Sequence, residues 1–178
     1  MGNILAFTSS GRADSISSRL VQIAADHAAR SGHAVHIIDL TAPQLHCCTG
    51  CGYCRTADGC TIDDTLFQDI TNCDGIIVGL PIYFSGIAGQ AKVWLDRLYP
   101  MIDARFVPRH PGKKVLAIYT QGDGNEKAFT PAINAANYVF RLCGWKQIGS
   151  ILCAGTSAPE FEVPEAVIAQ VAAAAEKF

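Results

Sequence analysis

The sequence has few charged residues, no basic run and no long apolar segment. Charged residues make up 17% of its 178 residues and the net charge is −2, so a nucleic-acid partner is not expected. The longest apolar runs are only as long as a strand, which excludes a membrane span. The first residues, MGNILAFTSSG, lack a basic segment followed by an apolar one, so no secretory signal is expected. These absences predict a cytoplasmic protein that binds neither nucleic acid nor membrane.

Cysteine, in contrast, is abundant, and five of the eight cysteines fall within residues 47–60. In a reducing compartment this pattern indicates metal or redox chemistry rather than structural disulfides. Four converging thiolates suit a zinc ion or an iron–sulfur cluster, and the CxxCxxC spacing favours the cluster. A redox-active dithiol remains an alternative. The four candidate metal ligands are Cys48, Cys51, Cys54 and Cys60.

Glycines separate these cysteines. Glycine adopts positive φ angles at little cost, and such angles can turn several thiols toward one point. We therefore expect this conformation at Gly50, Gly52 and Gly59.

Strand-like and helix-like segments alternate along the chain. Apolar runs predict five strands, at residues 3–8, 34–40, 74–80, 113–120 and 146–153. Each is followed by a segment with helical spacing, and residues 100–112 form an irregular connection. This βα alternation predicts one α/β domain over residues 1–178, a three-layer sandwich in which helices cover both faces of a parallel sheet. Five strands favour the flavodoxin-like order 2-1-3-4-5.

Ligands bind such sheets beyond the carboxyl ends of the strands, near the switch point between strands 1 and 3. The loops expected there are residues 9–18, 81–86 and 121–125. The cysteine-rich loop, residues 41–62, leaves strand 2 at the same edge and should lie beside this crevice.

The first of these loops is rich in hydroxyl groups. Together with the guanidinium of Arg12 and the free N–H groups of a helix N-terminus, they suit a phosphate ester. The loop has neither the Gly-Lys-Ser/Thr of a Walker motif nor a GxGxxG fingerprint. The alternative is that the serines only cap the helix.

The other two loops suit a flat heterocycle. In residues 81–86, Tyr83 and Phe84 offer aromatic faces, and the next two residues expose backbone N–H groups. The alternative is a turn whose aromatic side chains cover the core. In residues 121–125, glycines permit close approach of the backbone to a ligand, although an ordinary exposed turn would look the same.

Three motifs resemble those of the NADPH-dependent FMN reductase-like branch of the flavodoxin fold. The SGRADSIS segment at residues 10–17 is similar to the phosphate loop of that family. The PIYFSG segment at residues 81–86, with GQAKVWLDR at 89–97, is similar to its flavin loop and the following helix. The cysteine run at residues 48–60, followed by Asp63 and Asp64, resembles the cysteine motif of the iron–sulfur flavoproteins within this branch.

The resemblance implies FMN as the bound cofactor and a homodimer or homotetramer with the flavin near a subunit interface. The residues implied at the phosphate are Ser10, Arg12, Ser15, Ser17 and Ser18. Those implied at the isoalloxazine are Pro81, Ile82, Tyr83, Phe84, Ser85, Gly86, Gln121, Gly122 and Gly124. It also implies a [4Fe–4S] cluster on the four cysteines, which passes electrons to FMN, often across the subunit interface.

The sequence therefore predicts an FMN-dependent oxidoreductase, with a small molecule or a protein as electron donor and acceptor. One alternative is a cluster-free NAD(P)H-dependent FMN, quinone or nitro-compound reductase, in which the cysteines are free or form a disulfide. Another is a non-enzymatic module stabilised by zinc. No motif specific for a nicotinamide cofactor occurs, so the use of NADH or NADPH is an expectation from the family alone.

Overall fold

A computed structural model describes residues 1–12, 14–42, 45–62 and 65–178 of the chain. In these ranges the strands are β1 (Asn3–Thr8), β2 (Ala34–Asp39), β3 (Gly75–Tyr83), β4 (Gly86–Ile87), β5 (Lys114–Thr120) and β6 (Lys146–Cys153). The helices are α1 (Ile16–Arg30), α2 (Leu66–Asn72), α3 (Gly89–Asp96), α4 (Thr130–Leu142) and α5 (Glu165–Ala175). Two short 3-10 helices lie at Tyr53–Arg55 and Tyr99–Met101.

Five parallel strands form the sheet, in the order β2-β1-β3-β5-β6. Because β4 is a two-residue strand that pairs only with β3, this is the predicted flavodoxin-like order 2-1-3-4-5, and the predicted α/β fold is confirmed. The extra strand arises where β3 continues to Tyr83 and the chain turns back. Residues 81–86, predicted as a loop, therefore form most of a β-hairpin.

Apolar side chains fill both faces of the sheet, as expected for parallel strands between helices. On one face Phe7, Trp94 and Phe140 belong to the same buried cluster, and the rings of Phe7 and Trp94 lie 4.9 Å apart. On the other face Leu20 of α1 and Val171 of α5 are fully buried. None of the helices in the described ranges combines the length and the apolar character that a bilayer span requires.

Helix α4 ends in a Schellman motif centred on Gly144. Gly144 has a φ of 70° and donates its N–H to Arg141 O, while Trp145 donates to Phe140 O. The rings of Phe140 and Trp145 stack 6.2 Å apart, which is the apolar contact that accompanies this motif. A Cβ at Gly144 would lie 2.9 Å from Pro111 and 3.0 Å from Pro108.

We expect Gly144→Ala to lower the free energy of unfolding by about 1–2 kcal/mol, because a left-handed conformation costs that much for a residue with a Cβ. Urea unfolding measures the change. Gly89→Ala is the matched control, since Gly89 begins α3 without a positive φ and a Cβ added there would meet nothing within 4 Å. Equal stability of the two variants would contradict the role of the Schellman motif.

Candidate functional site

A cavity of about 510 Å³ lies among the loops that follow β1, β3, β5 and β6. We call it the edge cavity. The predicted cofactor-binding residues that line it are Ser10, Arg12, Ser15, Ser17, Ile82, Tyr83, Phe84, Gln121 and Gly122. Other predicted residues are described by the structure but do not line this cavity, namely Ser18, Pro81, Ser85, Gly86 and Gly124. The predicted crevice is therefore present, with a narrower set of residues at its wall.

The loop after β1 brings hydroxyl groups to the N-terminus of α1. Ser15 is the N-cap, and its Oγ accepts the N–H of Ser18 at 3.3 Å and shares a hydrogen bond with Ser17 Oγ at 2.8 Å. Ser10 Oγ accepts the N–H of Arg12 at 3.3 Å. The Arg12 side chain is exposed. Hydroxyls, a guanidinium and the positive end of a helix dipole together suit an anion such as a phosphate group.

The hairpin between β3 and β4 forms a second wall. Phe84 and Ser85 form its two-residue turn, with φ angles of 49° and 68°. Residues other than glycine seldom adopt this conformation, which costs on the order of 1–3 kcal/mol each and is concentrated at functional sites. Neither aromatic side chain covers the core, because Tyr83 is 44% exposed and Phe84 is fully exposed. Tyr83 Oη instead shares a hydrogen bond with Ser10 Oγ at 3.0 Å, which joins this wall to the first loop.

Gln121 is the first residue of the loop after β5, and its side chain holds this loop together. Its Nε2 donates to Asp123 O at 3.0 Å and Asn125 O at 2.8 Å, while its side chain is almost completely buried. Its Oε1 is also buried and has no hydrogen-bond partner among the described residues. A buried acceptor without a donor costs on the order of 1–3 kcal/mol, so this part of the wall suits a ligand that supplies an N–H or O–H group.

Asp14, Ile16 and Asp123 lie in the predicted loops but were not among the predicted cofactor contacts; the lining residues outside those loops are Thr120, Phe129, Thr156 and Ser157. The last two follow β6, whose carboxyl end lies at the same edge of the sheet, so the rule that identified the other loops would have found them. The loops after β5 and β6 are in close contact, because a Cβ at Gly122 would lie 2.2 Å from Ser157 Oγ.

The edge cavity fits the cofactor that the sequence predicts. FMN has an anionic phosphate at one end and a flat heterocycle with a hydrogen-bonding edge at the other. The helix N-terminus suits the first group, and the aromatic hairpin with the unpaired Gln121 acceptor suits the second.

A second cavity, of about 370 Å³, is lined by all four predicted metal ligands, Cys48, Cys51, Cys54 and Cys60. We call it the cysteine cavity. Its other wall comes from the end of α3 and the turn that follows, including Arg97 and Tyr99. Cys47 is exposed and does not line it. Asp63 and Asp64, which follow the cysteines in the predicted motif, lie outside the described residues.

The backbone of this loop turns at two of the three predicted glycines. Gly50 and Gly52 have φ angles of 67° and 76°, which confirms the expected left-handed conformation. The expectation is wrong for Gly59, which does not have a positive φ. Gly52 immediately precedes the 3-10 helix Tyr53–Arg55, so its conformation sets the direction in which Cys54 enters the cavity.

The thiols are close enough to influence one another electrostatically. Burial raises the pKa of Cys54, and repulsion from the thiolates of Cys48, Cys51 and Cys60 raises it further. The pKa of Cys51 is lowered, chiefly because the Thr61 hydroxyl, 3.4 Å from its sulfur, can donate a hydrogen bond to the thiolate. All eight cysteines are free.

The four candidate ligands line the same cavity. Within the described ranges, no three histidine, cysteine, aspartate or glutamate side chains are placed to hold one metal ion. A four-iron cluster takes four cysteine ligands, which is the number of cysteines at the wall of this cavity. The wall also contains Arg55, whose Nη1 is buried without a hydrogen-bond partner among the described residues and suits an anionic group.

The two cavities have no lining residue in common. The β3–β4 hairpin, at the wall of the edge cavity, precedes α3, whereas the cysteine cavity lies at the C-terminal end of this helix. Because α3 has eight residues, it is about 12 Å long. The candidate ligands therefore line a separate cavity rather than the wall of the edge cavity.

Comparison with known proteins gives a family match over most of the chain. A family model described as NADPH-dependent FMN reductase matches residues 3–154. An iron–sulfur flavoprotein of Methanocaldococcus jannaschii is 31% identical over 101 residues, which are 55% of this chain and 52% of that protein. An FMN-dependent NADH:quinone oxidoreductase of Methylobacterium radiotolerans is 29% identical over 121 residues, 64% of this chain and 52% of that protein. The chain thus spans about half the length of these two relatives.

Solved structures agree with the fold. An azoreductase from Bacillus anthracis has a TM-score of 0.72 at 15% identity, with all of both chains covered. A flavodoxin from Streptococcus pneumoniae has a TM-score of 0.62 at 15% identity, covering 98% of this chain and 94% of that one. At such low identity these similarities establish the fold alone.

Proposed function

Because the chain belongs to the NADPH-dependent FMN reductase family, we propose that it is an FMN-dependent oxidoreductase that binds its flavin in the edge cavity. The observation that carries this proposal is the wall of that cavity. It combines hydroxyls and a guanidinium at the N-terminus of α1 with an aromatic hairpin and a buried, unpaired acceptor. These are the groups that a phosphorylated flat heterocycle needs.

The residues at the N-terminus of α1 would hold the phosphate. Ser15 and Ser17 hydroxyls and the first N–H groups of α1 would donate hydrogen bonds to it, and Arg12 would supply a positive charge. Ser10 is already bonded to Tyr83, so it would keep the aromatic hairpin in register with the phosphate loop. Ser18 does not line the cavity and its backbone N–H is donated to Ser15 Oγ, so its predicted contact with the phosphate would require that bond to open.

The loops after β3 and β5 would hold the heterocycle. Ile82, Tyr83 and Phe84 would cover it on one side, and Gln121 would accept a hydrogen bond from its edge through Oε1. Since Gln121 is held by two backbone carbonyls, its amide is fixed before the ligand arrives. Bound FMN would supply both two-electron and one-electron redox chemistry, for which the protein provides orientation and exclusion of water.

The cysteine cavity would hold an iron–sulfur cluster. Cys48, Cys51, Cys54 and Cys60 would ligate it as thiolates, and Arg55 would offset part of its negative charge. The iron–sulfur flavoprotein relative supports this assignment. Because the two cavities share no wall within one chain, we propose that electrons pass between them across an interface in a homodimer or homotetramer. The donor and acceptor beyond the protein would be a small molecule or a redox protein.

A second candidate is a cluster-free reductase. It is favoured by the FMN-dependent NADH:quinone oxidoreductase among the relatives. In this case the edge cavity would bind the same flavin, a nicotinamide cofactor would reduce it, and the four thiols would take no part in electron transfer.

Purification without oxygen distinguishes these candidates. The expected result is a flavin released as FMN at about one per chain, with about four iron atoms and four acid-labile sulfides per chain, as a [4Fe–4S] cluster contains. FMN with negligible iron, and rapid reduction by NADH or NADPH, would instead support the cluster-free reductase. Stoichiometric zinc without flavin would overturn both candidates and support the zinc-stabilised module.

A further inference from the structure

The cysteine-rich loop packs against the connection between α3 and β5, which was predicted to be irregular. Residues 101–109 of this connection form a small hairpin. Ile102 and Pro108 pair as an antiparallel bridge, and Arg109 donates its N–H to Met101 O at 2.8 Å. The carboxylate of Asp103 accepts two backbone N–H groups inside the turn, which lowers the pKa of Asp103. The hairpin is therefore internally bonded and provides a fixed surface for the loop.

Arg109 joins this hairpin to the cysteines. Its Nη1 lies 2.8 Å from Cys54 O, 2.6 Å from Ile102 O and 3.1 Å from Pro100 O. One nitrogen atom thus contacts the carbonyl of a candidate ligand and two carbonyls of the connection, although Cys54 and Arg109 are 55 residues apart. Hydrogen bonds from a charged donor are about twice as strong as neutral ones.

A second arginine contact between the two segments is made by Arg55, which belongs to the cysteine-rich loop and reaches toward the connection after α3. Its guanidinium lies 5.0 Å from the ring centre of Tyr99 and 4.9 Å from that of Phe106, and its Nη2 donates to Ala104 O at 2.7 Å. Arg55 thus contacts two aromatic rings and one carbonyl, whereas Arg109 places a single guanidinium nitrogen among three carbonyls.

We propose that Arg109 is a positioning residue for the cluster site, which fixes the carbonyl of Cys54 and thereby aims the thiols into the cavity before a cluster binds. The proposal rests on the proposed ligation by the four cysteines. Cys54 lies in a single 3-10 turn preceded by the left-handed Gly52, so no longer helix fixes its orientation. A contact that holds this turn in place reduces the ordering cost of binding, as preorganisation does generally.

The geometry specifies which replacement should work. The ammonium of lysine carries three N–H donors on one nitrogen, matching the three carbonyls around Nη1. The amide of glutamine is uncharged, so it cannot make the charge-assisted hydrogen bonds that Arg109 makes. We therefore expect Arg109→Lys to retain the positioning role and Arg109→Gln to lose it.

Cluster assembly in the whole chain tests this expectation. The FMN-loaded protein is depleted of iron, then supplied with ferrous iron and sulfide without oxygen, and iron and sulfide per chain are followed with time. Arg109→Gln should slow assembly by about 10- to 150-fold, which is the equivalent of the roughly 1.5–3 kcal/mol that a charged hydrogen bond contributes. Arg109→Lys should stay within about threefold of the unmodified protein on the same scale. FMN per chain should not change in either variant.

Arg105→Gln is the matched control, since Arg105 is exposed on the same hairpin. Assembly in Arg109→Gln at the unmodified rate, failure of lysine to rescue it, or equal slowing in Arg105→Gln would each overturn the role of Arg109. If the unmodified protein binds FMN but takes up neither iron nor sulfide, the proposed cluster fails, and the role of Arg109 toward it fails for that separate reason.

Discussion

Arg12→Ala is expected to weaken FMN binding by about 10- to 30-fold and to leave riboflavin binding within about twofold, since a charge-assisted hydrogen bond contributes roughly 1.5–2 kcal/mol. The two flavins differ only in the phosphate group. Arg12 lines the edge cavity beside the N-terminus of α1, and its backbone N–H is fixed by Ser10. Fluorescence titration of the flavin-free protein with each ligand measures the two dissociation constants.

Arg19→Ala provides the control for a general change of charge. Arg19 is also exposed and lies in the first turns of α1, but it does not line the cavity. Its removal should leave the ratio of FMN to riboflavin affinity unchanged within about twofold. If Arg12→Ala weakens both flavins equally, Arg12 does not contact the phosphate, and the flavin would have to lie differently in the cavity.

The crevice could be predicted from the sequence because local patterns determine where it lies. Apolar runs such as residues 76–80 mark strands buried on both faces, and the loops between strands and helices follow from the alternation. Once the strand order is known, the loops at the carboxyl edge share one site. Ser10 and Arg12 of the loop after β1 could therefore be assigned to the same cavity wall as Gln121 of the loop after β5.

The shape of the hairpin could not be predicted in the same way. Two-residue hairpin turns usually contain glycine, asparagine or aspartate, because both positions need positive φ. Here Phe84 and Ser85 adopt that conformation, so tertiary structure overrides the local preference. The pairing of Ile82 with Ile87 and the bond between Tyr83 and Ser10 offset part of this cost. An exposed aromatic residue held in a strained turn at the cavity wall was therefore not apparent from the sequence.

The cysteine spacing predicted convergence of the thiols but not what supports them. Left-handed glycines are a local feature, and two of the three could be identified. The arginine contacts are long-range, since Arg55 meets a hairpin 49 residues away and Arg97 donates to His46 O across 51 residues. Sequence patterns carry no information about such pairings without knowledge of how the connection after α3 folds.

Cys54→Ser is expected to abolish the cluster while FMN binding stays within about twofold. Burial raises the pKa of Cys54, and repulsion from the other three candidate ligands raises it further, so its thiol lies near theirs. A serine hydroxyl does not ionise at neutral pH, so one of the four thiolate ligands that the cluster needs is lost. The flavin should remain because the two cavities share no lining residue. Iron, sulfide and FMN per chain, with the visible spectrum recorded without oxygen, measure both outcomes.

Cys47→Ser is the matched control, because Cys47 lies in the same run of cysteines but outside the cavity wall. It should keep iron, sulfide and FMN at the level of the unmodified protein. Loss of iron in Cys47→Ser with retention in Cys54→Ser would show that the ligand set is wrong. Loss of FMN together with iron in Cys54→Ser would show that the cysteine-rich loop supports the edge cavity. The absence of any lining residue common to the two cavities argues against that second outcome.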